Sequence, residues 1–154
     1  GFTAADDEWL LAWAFEGKGM NSLLSGDPGE AAGILGETAA RFAGLGDPGS
    51  CAYALGELSL ALRAIGREGD ADRLLGAACA IVAGSEGAVR EGGAKAGCCG
   101  EELSTRAKGL AWSGDGRLGE AVAGAAARDS EAWREGRRLS LETALRLAAE
   151  AASG

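Results

Sequence analysis

Four cysteines, Cys51, Cys79, Cys98 and Cys99, stand among 23 carboxylates in this 154-residue sequence, and no histidine accompanies them. Nucleophilic catalysis by a serine or cysteine needs a neighbouring base, and the commonest general base and metal ligand are both missing. Cys98-Cys99 is an adjacent pair without the Cys-x-x-Cys spacing of a zinc site, so the pattern predicts no metal. The thiols read as four reduced cysteines used as small apolar residues. Lys18, Lys95 and Lys108 are the only lysines, and none has the apolar flanks that would obviously depress its pKa. The paired carboxylates Asp6-Asp7-Glu8 and Glu101-Glu102 fall at expected helix starts, where they complement the helix dipole. Together these features predict a chain that is not an enzyme and needs no cofactor.

Binding chemistry has more to work with. Trp9 and Trp13 lie four apart, with Met20 two turns further on, a spacing that suits either the lining of a ligand or peptide groove or the core at the end of a helical stack. Arg134, Arg137 and Arg138 form a small basic cluster before Ser140, a good helix cap. Those cations can compensate a helix C-terminus and pair with Glu131 and Glu135, or serve as a docking site for another module.

The elements that must position these residues are constrained by composition. A formal charge of −8 opposes nucleic-acid binding. The charge is uneven: residues 1–50 carry two basic and eight acidic side chains, so a cationic partner would prefer that third. No apolar run is long enough to span a membrane, and the acidic start differs from a signal peptide, which predicts a cytoplasmic protein. A start at Gly1 is what a processed or excised chain would show. Glycine fills 27 positions, and each one inside a helix costs about 1 kcal/mol relative to alanine, so a helical fold would have to be held by packing.

Four Gly-Asp pairs, at 26–27, 46–47, 69–70 and 114–115, read as turns in which glycine ends one helix and aspartate caps the next. Pro28 and Pro48 then sit at the first helical position, and Glu30 completes a capping box. Between the turns the apolar period is helical, as in Leu55, Leu58, Leu62 and Ile65. Helices are predicted at 5–24, 28–44, 48–65, 70–83, 101–112, 116–128, 130–136 and 141–152. The Gly-rich stretch 84–100 is either a linker or a poor helix. Placing Gly26 on Gly66 brings Ala31 onto Ala71, Leu35 onto Leu75 and Ala39 onto Cys79, an offset of 40 residues suited to stacked hairpins.

"YALGELSLALRAIGREGDADRLLGAA" resembles a tetratricopeptide repeat. Together with "EAWREGRRLSLETALRLAAEAA" it is similar to the C-terminal end of large bacterial signal-transducing ATPase regulators, including LuxR-type and AfsR-type transcriptional regulators. There an "RLLGAA" helix and a closing "GR-x-LS-x-x-x-A" helix occur in this order. The resemblance implies an all-α, tetratricopeptide-like superhelix of stacked antiparallel helix pairs with a C-terminal closing helix. Residues 1–84 would form the repeats, and 85–154 a degenerate repeat with capping helices, as one continuous domain. The ATPase and DNA-binding modules of that group have no counterpart here, since neither a phosphate-binding loop nor a basic recognition helix occurs. On the repeat phasing, Trp13, Glu16, Met20, Tyr53, Leu60 and Arg63 come onto the concave face, where tetratricopeptide proteins commonly bind extended peptides. The expected function is a non-catalytic scaffold for protein–protein interaction or signal sensing, a regulatory module whose partner is a peptide, a protein or another module of its own full-length chain. The alternatives are a small-molecule-binding helical domain and, third, an enzyme with carboxylate-only chemistry.

Overall fold

The recurring Gly-Asp-Pro-Gly motif writes the first two turns directly. In the computed structural model, which describes residues 3–87 and 117–153, α1 (Ala4–Leu24), α2 (Pro28–Gly44) and α3 (Pro48–Ala64) are joined by three-residue links. Gly26 and Gly46 take the left-handed conformation at φ +89° and +74°. The N–H groups of Asp27 and Asp47 reach back to the carbonyls of Ser22 and Phe42 at 2.9 and 3.0 Å. The carboxylates of the same two aspartates then accept from the N–H groups of Glu30 and Ser50, each at 3.1 Å.

The third turn uses the same backbone with a different side chain. Gly66 has φ +87°, and Arg67 N–H donates to Leu62 O at 2.9 Å, 40 residues on from the bond between Asp27 and Ser22. No aspartate follows Gly66, and α4 begins at Glu68, so Gly69-Asp70 lies inside the helix and is not the turn its sequence suggests. Asp70 stands instead in the first helical turn and pairs with Arg67 at 2.9 Å and Arg73 at 3.3 Å. α4 continues to Gly87, into the Gly-rich stretch read as either a linker or a poor helix. The expected helix 101–112, the Gly114-Asp115 pair, Glu101-Glu102, Lys95, Lys108, Cys98 and Cys99 lie outside the described residues.

Chain resumes with α5 (Arg117–Arg128), the short α6 (Glu131–Gly136) and the closing α7 (Leu141–Ser153). Asp129 adopts φ +46°, a left-handed position that aspartate tolerates better than most residues, and Ser130 caps α6 by accepting from Trp133 N–H at 3.1 Å. All seven described helices are α-helices; α1 to α4 pack each on its neighbour in sequence and α5 to α7 pack on α2, α3 and α4, which makes the fold an all-α helical stack. None of them is long and apolar enough to cross a membrane.

α3 is the centre of the stack, with residues 51–59 all buried between α2, α4 and the C-terminal helices. α7 closes one side, where Ala152 lies over Gly36 of α2, and Arg67 donates to Ala151 O at 2.6 Å. The tightest approach is between α4 and α6. A Cβ on Gly76 would strike the carbonyl oxygen of Trp133, and one on Gly136 would strike the carbonyl of Arg73. Backbone therefore lies on backbone where these helices cross, and this accounts for two glycines that helix propensity disfavours.

Gly136→Ala should lower stability by about 1–3 kcal/mol or more through overpacking. Gly33→Ala, on the exposed face of α2 with nothing within 4 Å of the added methyl, should be neutral or raise it by up to about 1 kcal/mol. Urea denaturation midpoints of the two variants check this contrast.

Candidate functional site

Of the residues assigned to a concave groove, Trp13 and Tyr53 meet in the structure, and Glu16 and Tyr53 lie in the interior. Trp13 of α1 packs edge-on to Trp9 with ring centroids 5.8 Å apart, against Phe42 of α2 at 4.9 Å and against Tyr53 of α3 at 5.9 Å. The Trp9 indole donates to Asp47 at 2.9 Å, pinning the start of α1 to the turn between α2 and α3. Trp13 and Met20 are half-buried against the core, and Leu60 is half-buried. Tyr53 and Glu16 are fully covered, which corrects the expectation that they present a surface. The physical reason is that α3 is wrapped by neighbours on every side, so its inner face faces other helices of the same chain.

Arg63 is also spoken for. It donates to Asp72, in a contact shared with Arg128 at 2.9 Å and with the Ser130 hydroxyl at 3.0 Å. Asp72 is only 5% exposed. Burial pushes its carboxyl up, but the hydrogen bonds from Arg128, Arg63 and Ser130 outweigh that and hold it below the ordinary carboxylate range. The group joins the end of α3, the second turn of α4, the end of α5 and the cap of α6.

Beside the aromatic cluster sits a second buried acidic feature. Glu16 of α1 is 0% exposed, Glu57 of α3 is also buried, and the polar group next to Glu16 is the Glu57 carboxyl. Among the described residues no hydrogen bond of ordinary geometry reaches either oxygen of Glu16. Burial raises the Glu16 carboxyl above its ordinary value, with the neighbouring Glu57 drawing it partly back. Sequence reasoning placed Glu16 on a surface and missed Glu57, although a single charge inside the apolar run "YALGELSLAL" was a usable signal for a buried acid.

Little of the remaining chemistry is poised for reaction. Cys51 and Cys79 are both buried, with no bridge joining them, and burial together with nearby Asp47 pushes the Cys51 thiol up to about 12, far from a reactive thiolate. No group of three or more metal-ligating side chains occurs among the described residues. An open cleft of about 330 Å³ lies on α6, lined by Glu131, Arg134, Glu135 and Arg138. Its two acids and two bases balance, and it lacks the apolar walls that usually enclose a small ligand. On α1, Leu10 and Leu11 are each 48% exposed and Leu24 is 55% exposed. Comparison with protein-family models, with curated proteins and with solved structures finds no match for the chain.

The Glu16 carboxyl makes stability depend on pH in a defined direction. With its folded pKa above the unfolded one, the folded state keeps a proton that the unfolded chain releases as pH climbs past about 4.5. Its contribution is fully present below that pH and declines as pH rises through the folded pKa. Glu16→Gln has no proton to lose, so the variant should be more stable than wild type at pH 8, with the gap closing toward pH 4.5. Thermal melts across that range test the sign.

Proposed function

We propose that this chain is a non-catalytic helical-repeat scaffold for protein–protein interaction or signal sensing, a regulatory module of the kind found in the bacterial transcriptional regulators it resembles. The observation that carries the reading is the apolar face left uncovered on α1, where Leu10, Leu11 and Leu24 stand exposed on a helix whose other side is packed. Large apolar side chains left exposed beside one another, as Leu10 and Leu11 are, are the kind of surface that interaction sites use. The stack supports it in a second way, because Arg63, Asp72, Arg128 and Ser130 are engaged in holding helices together. On this reading the contact surface is the outer face of α1 rather than the concave face of Trp13, Glu16, Met20, Tyr53, Leu60 and Arg63.

Site-specific photo-crosslinking in the native host tests the proposal. A photoreactive residue at Leu11 should capture a polypeptide, while the same residue at exposed Glu142 on α7 should not. Equal capture at both positions, or no polypeptide adduct at Leu11, contradicts the scaffold reading.

A further inference from the structure

The fold contains its own answer to what covers α1. The same turn bond recurs every 20 residues, to Ser22, Phe42 and Leu62, and each turn reverses the chain, so α1 and α3, two turns apart, run in the same direction as the first helices of successive pairs. At that offset Leu11, Ala14 and Lys18 correspond to Cys51, Ala54 and Leu58. The three residues on α3 are 0% exposed, whereas the three on α1 are exposed. α2 is the helix that packs over this side of α3: a methyl on Gly36 would lie 4.0 Å from Leu58. A Cβ on Gly17, further along α1, would meet nothing within 4 Å. α1 thus shows to solvent the face that, one pair later, an α2-type helix buries.

We infer that the outer face of α1 is a docking site for one helix of a further helical pair, seated as α2 is seated on α3. The inference rests on the scaffold reading and names its partner. The chemistry of the occupant follows from the face. It is amphipathic, and it offers an acidic side chain to Lys18, the counterpart of Leu58, whose apolar stem can lie along the interface while its charge is paired. The acidic surface at Asp6, Asp7 and Glu8 asks for basic residues at the neighbouring end of the same helix.

An isolated helix of this length is marginal in water, so the test supplies the helix within the chain, at high effective concentration. Residues 1–7 are replaced by a copy of residues 28–47, so that the copied aspartate precedes Glu8 as Asp47 precedes Pro48. Hydrogen exchange at residues 10–18 should slow on the order of tenfold or more relative to the parent chain, and melting temperature should rise. Leu11→Lys should abolish both gains in the extended chain while leaving the parent unchanged. Unaltered exchange and melting in the extended chain overturn the inference. So does a parent chain that sediments as a dimer and becomes monomeric on Leu11→Lys, because the occupant is then a second copy. Protection in the extended chain without crosslinking in the host leaves this geometry standing and removes the scaffold reading. Crosslinking without protection does the reverse.

Discussion

Asp72 is the constraint on which the arrangement of the C-terminal helices depends. A carboxylate that is only 5% exposed must be compensated, and here Arg63, Arg128 and Ser130 all donate to it. Arg63 comes from nine residues before it, but Arg128 and Ser130 come from 56 and 58 residues after it. Once α4 has folded against α3, the buried charge therefore requires α5 and α6 to be at one place. Desolvation opposes burying the group, and the donors more than recover that cost, as its depressed pKa shows. The stabilisation is present at neutral pH and is lost as pH falls below the ordinary aspartate value of 3.8 through the lower folded value.

The glycines make this geometry reachable. With Gly76 and Gly136 at the crossing, α6 lies backbone to backbone on α4, which brings Ser130 and Arg128 within reach of Asp72 and sets Arg73 beside Glu135 at 3.1 Å. The helix propensity given up at each glycine is offset by contacts available only at that separation. The Glu16 and Glu57 carboxyls follow the opposite logic: two like groups in one buried place, with the charge of Glu16 disfavoured. That pair weakens the junction of α1 with α3 as pH rises, whereas the Asp72 junction holds. The Asp72 and Glu16–Glu57 contacts thus respond to pH in opposite directions, and the exposed leucines lie on the helix that carries Glu16.

Much of the helix layout was legible in the sequence because local chemistry writes it. Gly26-Asp27-Pro28 and Gly46-Asp47-Pro48 contain both the end of one helix and the start of the next, so α1, α2 and α3 begin and end where the residues place them. The start of α4 was misread because Arg67 stands where the other turns have aspartate, and the eye moves on to Gly69-Asp70. The groove was misread for a longer-range reason. Glu16 and Tyr53 have the polarity of surface residues, and only the packing of helices distant in sequence shows that they are covered. Arg63 looked available because its partner Asp72, nine residues on, is covered only when Arg128 and Ser130, 56 and 58 residues beyond Asp72, come to it. Leu10, Leu11 and Leu24 were unremarkable in a chain with this much apolar content, and their exposure is a property of the stack.

The most direct test of the central claim is hydrogen exchange, read helix by helix, on Asp72→Asn at pH 7. The substitution keeps the shape of the side chain and removes the charge that Arg63 and Arg128 compensate; both arginines are partly exposed, and losing hydrogen bonds to a charged group costs about 1.5–3 kcal/mol. Protection in α5 and α6 should then fall well before protection in α1 and α2. Wild-type protection in α5 and α6 of this variant would contradict the account, because the closing helices would be held in place without the buried carboxylate.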